Sequence, residues 1–218
     1  MAGPAEALSN ATSVASPPQA SRSAGWGVIG TLGLGYVGIY LCRKNLSVAM
    51  PMLQEHFHAT KAEVGGVASL GTLAYAAGKV INGPLVDAVG GRRGFLISIG
   101  LVALFGAAGA FAPGLSLLAL AYGLNRFAGA AGWGGMLKLV PSWFPLSRAG
   151  TVVGVLSLSY VLGGVLATLL ARQIVSYGGS WRAVMGAPSA VTIVIAIICV
   201  IFVKQGPGST DSDRKSVV

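Results

Sequence analysis

The stretch Gly35-Tyr-Val-Gly-Ile-Tyr-Leu-Cys-Arg-Lys-Asn-Leu-Ser-Val-Ala-Met-Pro51 decides how this chain is read. It places Arg43 and Lys44 inside a run, from Trp26 to Met52, that otherwise reads as one membrane-spanning helix. One such cation at the bilayer centre costs roughly 2.5–3.5 kcal/mol, so a helix that carries two has a use for at least one of them. At about 100° per residue, Tyr36 lies roughly 20° from Arg43 around the helix, Tyr40 roughly 60° and Ser47 roughly 40°. These four side chains make one polar stripe, and Lys44 points to its flank. The plainer alternative is an anchor whose two cations snorkel to an interface.

The composition agrees with a membrane protein. Apolar residues make up 54% of the chain and charged residues only 10%, and the mean hydropathy is +0.73, far from a soluble balance. The 33 glycines suit helices whose backbones approach closely in lipid. The net charge of +9 does not point to nucleic acid, because the basic residues are scattered singly through apolar runs. Cys42 and Cys199 both fall in apolar runs, so neither a disulfide framework nor a metal site is expected. His56 and His58 stand alone in a polar link and read as solvated loop residues.

Six spans follow. Residues 1–24 are rich in Ala, Ser and Pro and read as a disordered arm. The second span runs from Val64 to Val86 and carries the stripe Thr72, Tyr75, Lys79, Asn82. The charge-free run from Gly94 to Asn125 is too long for one helix and breaks at Ala112-Pro113-Gly114 into a third and a fourth span. The fourth carries Arg126 near its middle and Lys138 near its end, and stops around Pro141 and Pro145. Residues 149–171 and 183–203 supply the fifth and sixth, and residues from 205 on form a charged tail or linker. Small residues four apart (Gly106, Ala110, Gly114; Gly150, Gly154; Gly163, Ala167, Ala171) read as packing seams between helices. The side holding Arg92, Arg93, Arg148, Lys204, Arg214 and Lys215 outweighs the side holding Lys61, Arg172 and Arg182, so both termini are expected in the cytosol.

Arg43, Lys44, Lys79 and Arg126 lie inside spans, while all six acidic residues fall in loops or tails. Unpaired and facing lipid, four cations would cost on the order of 10–14 kcal/mol. They are therefore expected to line a wet, protein-walled cavity and to be neutralised by a small anion from outside. Arg suits a phosphate through its planar fork, and Lys adds a point charge. No nucleophile elbow, zinc-protease motif or Walker loop is present, so no enzyme, cofactor or metal is expected.

Gly83-Pro-Leu-Val-Asp87-Ala-Val-Gly90-Gly91-Arg92-Arg93 resembles the signature between the second and third helices of the major facilitator superfamily. Gly83, Asp87, Gly90 and Arg92 meet its Gly, Asp, Gly and Arg positions, and Ala88 stands where a further Arg is common. From the residues themselves, Gly90-Gly91 makes a tight turn, and Asp87 can pair with the arginines beyond it or accept from the N-terminus of a neighbouring helix. Tyr36 through Asn45 is similar to the first-helix motif of the organophosphate:phosphate antiporter branch, which includes glycerol-3-phosphate and hexose-phosphate transporters.

The resemblance implies an all-α fold, a six-helix bundle forming one half of a two-bundle carrier. It implies Arg43 as a phosphate ligand, Lys79 as the second-helix Lys, and Trp133 and Lys138 as the fourth-helix Trp and basic residue. Ser159 falls where the glycerol-phosphate type has a fifth-helix His, and Arg126 looks like the fourth-helix Arg of other members. Tyr36, Tyr40 and Lys44 complete the expected substrate site. The implied partners are the lipid bilayer and either the missing C-terminal bundle or a second copy of the chain. The implied function is exchange of a phosphorylated metabolite for inorganic phosphate. The alternatives are a carrier for another organic or inorganic anion and a membrane sensor that binds the anion without transporting it.

Overall fold

The computed structural model describes residues 22–206 as six α-helices. They are α1 (Arg22–Phe57), α2 (Lys61–Val89), α3 (Gly91–Ala110), α4 (Leu115–Trp143), α5 (Leu146–Ser176) and α6 (Trp181–Phe202). All but a few residues of the expected arm and tail lie outside the described residues. The helices outrun the apolar runs that predict them. α1 begins at Arg22, inside the expected arm, and continues through Pro51 to Phe57. At about 1.5 Å per residue its 36 residues span about 54 Å, well beyond a hydrocarbon core of about 30 Å. α2 begins at a capping box: the Glu63 backbone N–H donates to Thr60 Oγ1 at 3.2 Å, and the Thr60 N–H donates to Glu63 Oε2 at 2.7 Å.

Five of the six helices are long and apolar enough to cross a membrane. The exception by composition is α4, whose 29 residues include Asn125, Arg126 and Lys138. Asn125 and Arg126 of α4 are buried by its neighbours, whereas Lys138 is exposed.

The packing has a simple order. α1 lies mainly against α5 and α6, α4 lies mainly against α2 and α3, and α3 lies against α6. Exchanging the first three helices for the last three leaves this pattern unchanged, as expected of two interlocked three-helix repeats. The ends are tied. Trp26 of α1 packs edge-on to Phe144 beyond α4, and Trp143 Nε1 donates to the Lys204 carbonyl at 3.3 Å. At the opposite end, Phe57 of α1 stacks against Trp181 of α6.

Buried side chains hold α4 in place by reaching for backbone carbonyls. Asn82 of α2 donates to Phe127 O at 2.8 Å, Ser98 of α3 to Ala128 O at 2.8 Å, and Asn125 of α4 to Val102 O at 2.7 Å. Each such bond between membrane helices contributes about 0.6 kcal/mol. Close approach does the rest. A Cβ on Gly78 would come within 2.7 Å of Phe127 O, and one on Gly163 within 2.6 Å of Tyr40 Cβ.

Gly163, Ala167 and Ala171 are buried as a seam, and Gly106 and Ala110 likewise. The expected seam at Gly150 and Gly154 is not one within this bundle, since both positions are open. Gly163→Ala is expected to cost about 1–3 kcal/mol, because α5 must move off α1. Gly154→Ala, on an open helix surface, is expected to be neutral or to gain up to about 1 kcal/mol. Thermal unfolding of the two variants in detergent micelles checks this, and equal effects would contradict the packing described.

Candidate functional site

Three helices bring their cations to one aromatic ring. Arg43 Cζ of α1 lies 4.6 Å from the centroid of Tyr75, Arg126 Cζ of α4 lies 4.8 Å from it, and Lys79 Nζ lies 5.3 Å from it. Tyr75 and Lys79 are one turn apart on α2, so the ring sits beneath its own helix's cation. Arg126 is buried at 8% exposure, Arg43 is half-buried and Lys79 is exposed. Tyr75 belongs to the stripe Thr72, Tyr75, Lys79, Asn82 but was not among the expected ligands. Helical spacing marked its face and could not mark its three partners.

The first-helix stripe continues the site. Arg43 Nη1 donates to Tyr40 Oη at 3.1 Å, and Arg43 Cζ stands 4.9 Å from the Tyr40 centroid. Tyr36 stacks on Tyr40 and on Trp133 of α4, both at 5.3 Å between centroids. Ser47, at the far end of the stripe, is exposed. Tyr36, Tyr40, Arg43, Tyr75, Asn125 and Arg126 surround a small recess between α1, α2 and α4. A chain of aromatic rings thus runs from Trp133 to the arginines.

Lys44 turns to the other side of α1. It lines a groove against α5 with Tyr40, Arg43 and Tyr160, and Tyr40 and Tyr160 stack at 6.0 Å. Ser159 lies elsewhere. It is buried, its hydroxyl donates to the Leu156 carbonyl of its own helix, and its Cβ faces Gly33. The structure places it outside the cationic cluster.

Lys138 is likewise separate. It is three turns beyond Arg126, about 18 Å along α4, and pairs with Asp87 at the end of α2. This is the only ion pair among the described residues. The expected pairing of Asp87 with the following arginines therefore does not form.

The expected loop is also nearly absent. α2 continues through Gly83 and Pro84 to Val89, and Gly90 alone, at φ 85°, separates it from α3. Arg92 and Arg93 are in the first turn of α3. Arg92 Nε donates to Val203 O at 2.6 Å and Nη2 to Val200 O at 3.4 Å. It satisfies carbonyls at the end of α6 and sets a cation at the negative pole of that helix.

The cluster is electrostatically incomplete. Two guanidinium carbons within 5 Å of one centroid are no more than about 9.4 Å apart, so at an effective dielectric of about 20 they repel by roughly 2 kcal/mol or more. A cation–π contact contributes about 0.5–2 kcal/mol. The ring therefore holds the cations together with little surplus, and no carboxylate among the described residues pairs with them. The arrangement suits an anion with several acceptor oxygens, which would take donors from two forks and an ammonium. Among the described residues no group of His, Cys, Asp and Glu could hold a metal ion.

A family model described as Major Facilitator Superfamily matches residues 32–217. The chain is 31% identical over 179 residues to a probable hexose phosphate transport protein of Chlamydia trachomatis, a match covering 81% of this chain and 38% of that protein. It is 28% identical over 181 residues to the glycerol-3-phosphate transporter of Bacillus subtilis, covering 81% and 40%. The fold matches the crystal structure of a bacterial homologue of the human lysosomal transporter Spinster, in an inward-facing and unoccupied conformation. That match has a TM-score of 0.75 at 18% identity and covers 88% of this chain and 45% of the other. The chain thus spans about two fifths of the length of the curated relatives it matches.

Replacing Tyr75 tests the cluster. Tyr75→Phe keeps the ring and is expected to unfold within about 0.5 kcal/mol of the parent, whereas Tyr75→Leu removes it and is expected to cost about 1–2 kcal/mol. Thermal unfolding without added anion reads this out. Equal losses for Phe and Leu would show that the ring is not what holds the cations.

Proposed function

The chain belongs to the Major Facilitator Superfamily, an integral multi-pass membrane protein family, and from that premise we propose that it carries half of a binding site that exchanges a phosphorylated metabolite for inorganic phosphate. The observation that carries this reading is the meeting of Arg43, Lys79 and Arg126 on Tyr75 with no carboxylate among the described residues to neutralise them. The names of the relatives, transporters of hexose phosphate and glycerol-3-phosphate, agree with a phosphate-bearing substrate.

Arg43 is the main ligand in this reading, since its fork lies between the Tyr40 hydroxyl and the Tyr75 ring. Arg126 and Lys79 add charge from α4 and α2. The Tyr36 and Tyr40 hydroxyls donate to phosphate oxygens, with Trp133 backing Tyr36. Exchange is favoured over proton coupling because no acidic residue of this sequence falls within the apolar runs, where it could relay a proton. The remaining walls come from a second six-helix bundle, as a further polypeptide segment or as a second copy of this chain. Transport, not catalysis, is the proposed activity, and the Arg92–Arg93 end of the bundle, by the distribution of positive charge, faces the cytosol.

Arg43→Lys keeps the charge and loses the fork. It is expected to weaken binding of inorganic phosphate about 10- to 100-fold, the worth of one or two charge-assisted hydrogen bonds. Radiolabelled phosphate binding to the purified protein, followed by exchange in proteoliposomes, measures this. Undiminished binding and exchange in the variant would sink the assignment.

A further inference from the structure

Tyr40 and Arg43 line two cavities at once, and the two differ greatly in size. The recess between α1, α2 and α4 has about 10 Å³ of room, enough for about one water. The groove between α1 and α5 has about 650 Å³, in the range of small-molecule sites. Within this bundle, the groove along α5 is the roomier of the two for a larger group attached to an anion held on Arg43.

The chemistry of that groove is uneven. Its charged end carries Arg43 and Lys44, with the rings of Tyr40 and Tyr160 beside them. Beyond them the wall is Val161, Gly164, Val165 and Leu169. Thr168 also lines it, but its hydroxyl already donates to Gly164 O at 3.0 Å within α5. The stretch along α5 thus offers the hydroxyls of a sugar few partners, chiefly the Thr168 oxygen as an acceptor and the Tyr160 hydroxyl at the charged end, while the tyrosine rings and branched aliphatic side chains suit a flat or apolar group.

We infer that the α1–α5 groove is the subsite for the organic part of the substrate and that it takes an apolar or aromatic phosphate ester, not a polyhydroxylated one. This inference rests on the phosphate-binding reading of Arg43 given above and adds a substrate class to it. Lys44 has a role here: at the mouth of the groove it supplies a further cation to the same anion, from the side of α1 opposite the recess.

The test is a competition panel against radiolabelled inorganic phosphate on the purified full chain in nanodiscs. The competitors are phenyl phosphate, glycerol phosphate and a hexose phosphate. Phenyl phosphate is expected to compete at least about tenfold better than the hexose phosphate, the factor that corresponds to about one unpaired hydroxyl. Val165→Asn with Leu169→Asn, both on the exposed side of α5, is expected to narrow that ratio to within about threefold, because each adds an amide to the wall. A hexose phosphate that competes as well as phenyl phosphate would overturn the inference, and so would a ratio that the paired substitution leaves unchanged. Should the paired variant fail to fold, the panel on the parent chain still decides. Failure of labelled phosphate itself to bind would instead overturn the reading of Arg43, and this inference with it.

Discussion

A cation in hydrocarbon needs an anion or a π face, and this bundle supplies the second and leaves room for the first. Tyr75 is the one group that Arg43, Lys79 and Arg126 share. That sharing constrains the helices as much as the side chains: α1, α2 and α4 must come close at one level. The Gly78 contact with the Phe127 carbonyl permits it between α2 and α4, and the Asn82 amide fixes the depth of the crossing by bonding the same carbonyl. On the other side of α1, the Gly163 approach to Tyr40 sets the position of α5. Backbone contacts that look purely structural thus determine where the positive charge sits.

The end of the bundle is built on the opposite logic. There Asp87, Lys138 and Arg92 have protein partners. Asp87 takes Lys138, and Arg92 takes the carbonyls that α6 leaves unpaired at its last turn. A cation whose partner is built in contributes to fold; one without a carboxylate beside it can pair with an anion from outside. Lys138 and Arg126 sit on the same helix and differ in this respect.

Much of this was legible in the sequence. Charges inside apolar runs gave the membrane class, and the first-helix stripe placed Arg43 with Tyr36 and Tyr40 by angle alone. The second-helix stripe held Tyr75 and Lys79 at the right spacing. What periodicity could not supply was the neighbour. A helical wheel assigns a direction, and the direction has meaning only once the facing helix is known; hence Ser159 faces Gly33 and Lys138 meets Asp87. The same limit explains Gly150 and Gly154, whose spacing resembles a seam although nothing among the described residues lies against them. Helix ends are less legible, because apolar runs mark the part in lipid while caps such as Thr60 with Glu63 lie in the polar zone beyond it.

The interchangeable packing of the two helix triplets has a mechanical consequence. α1 and α4 occupy equivalent posts, each clasped by two helices of the opposite triplet, and each contributes one arginine to Tyr75. Shear between the triplets is therefore read out as a change in the span between two guanidinium jaws. The bundle is in this respect a caliper, in which a small displacement of the scaffold changes the spacing of two charges at its centre.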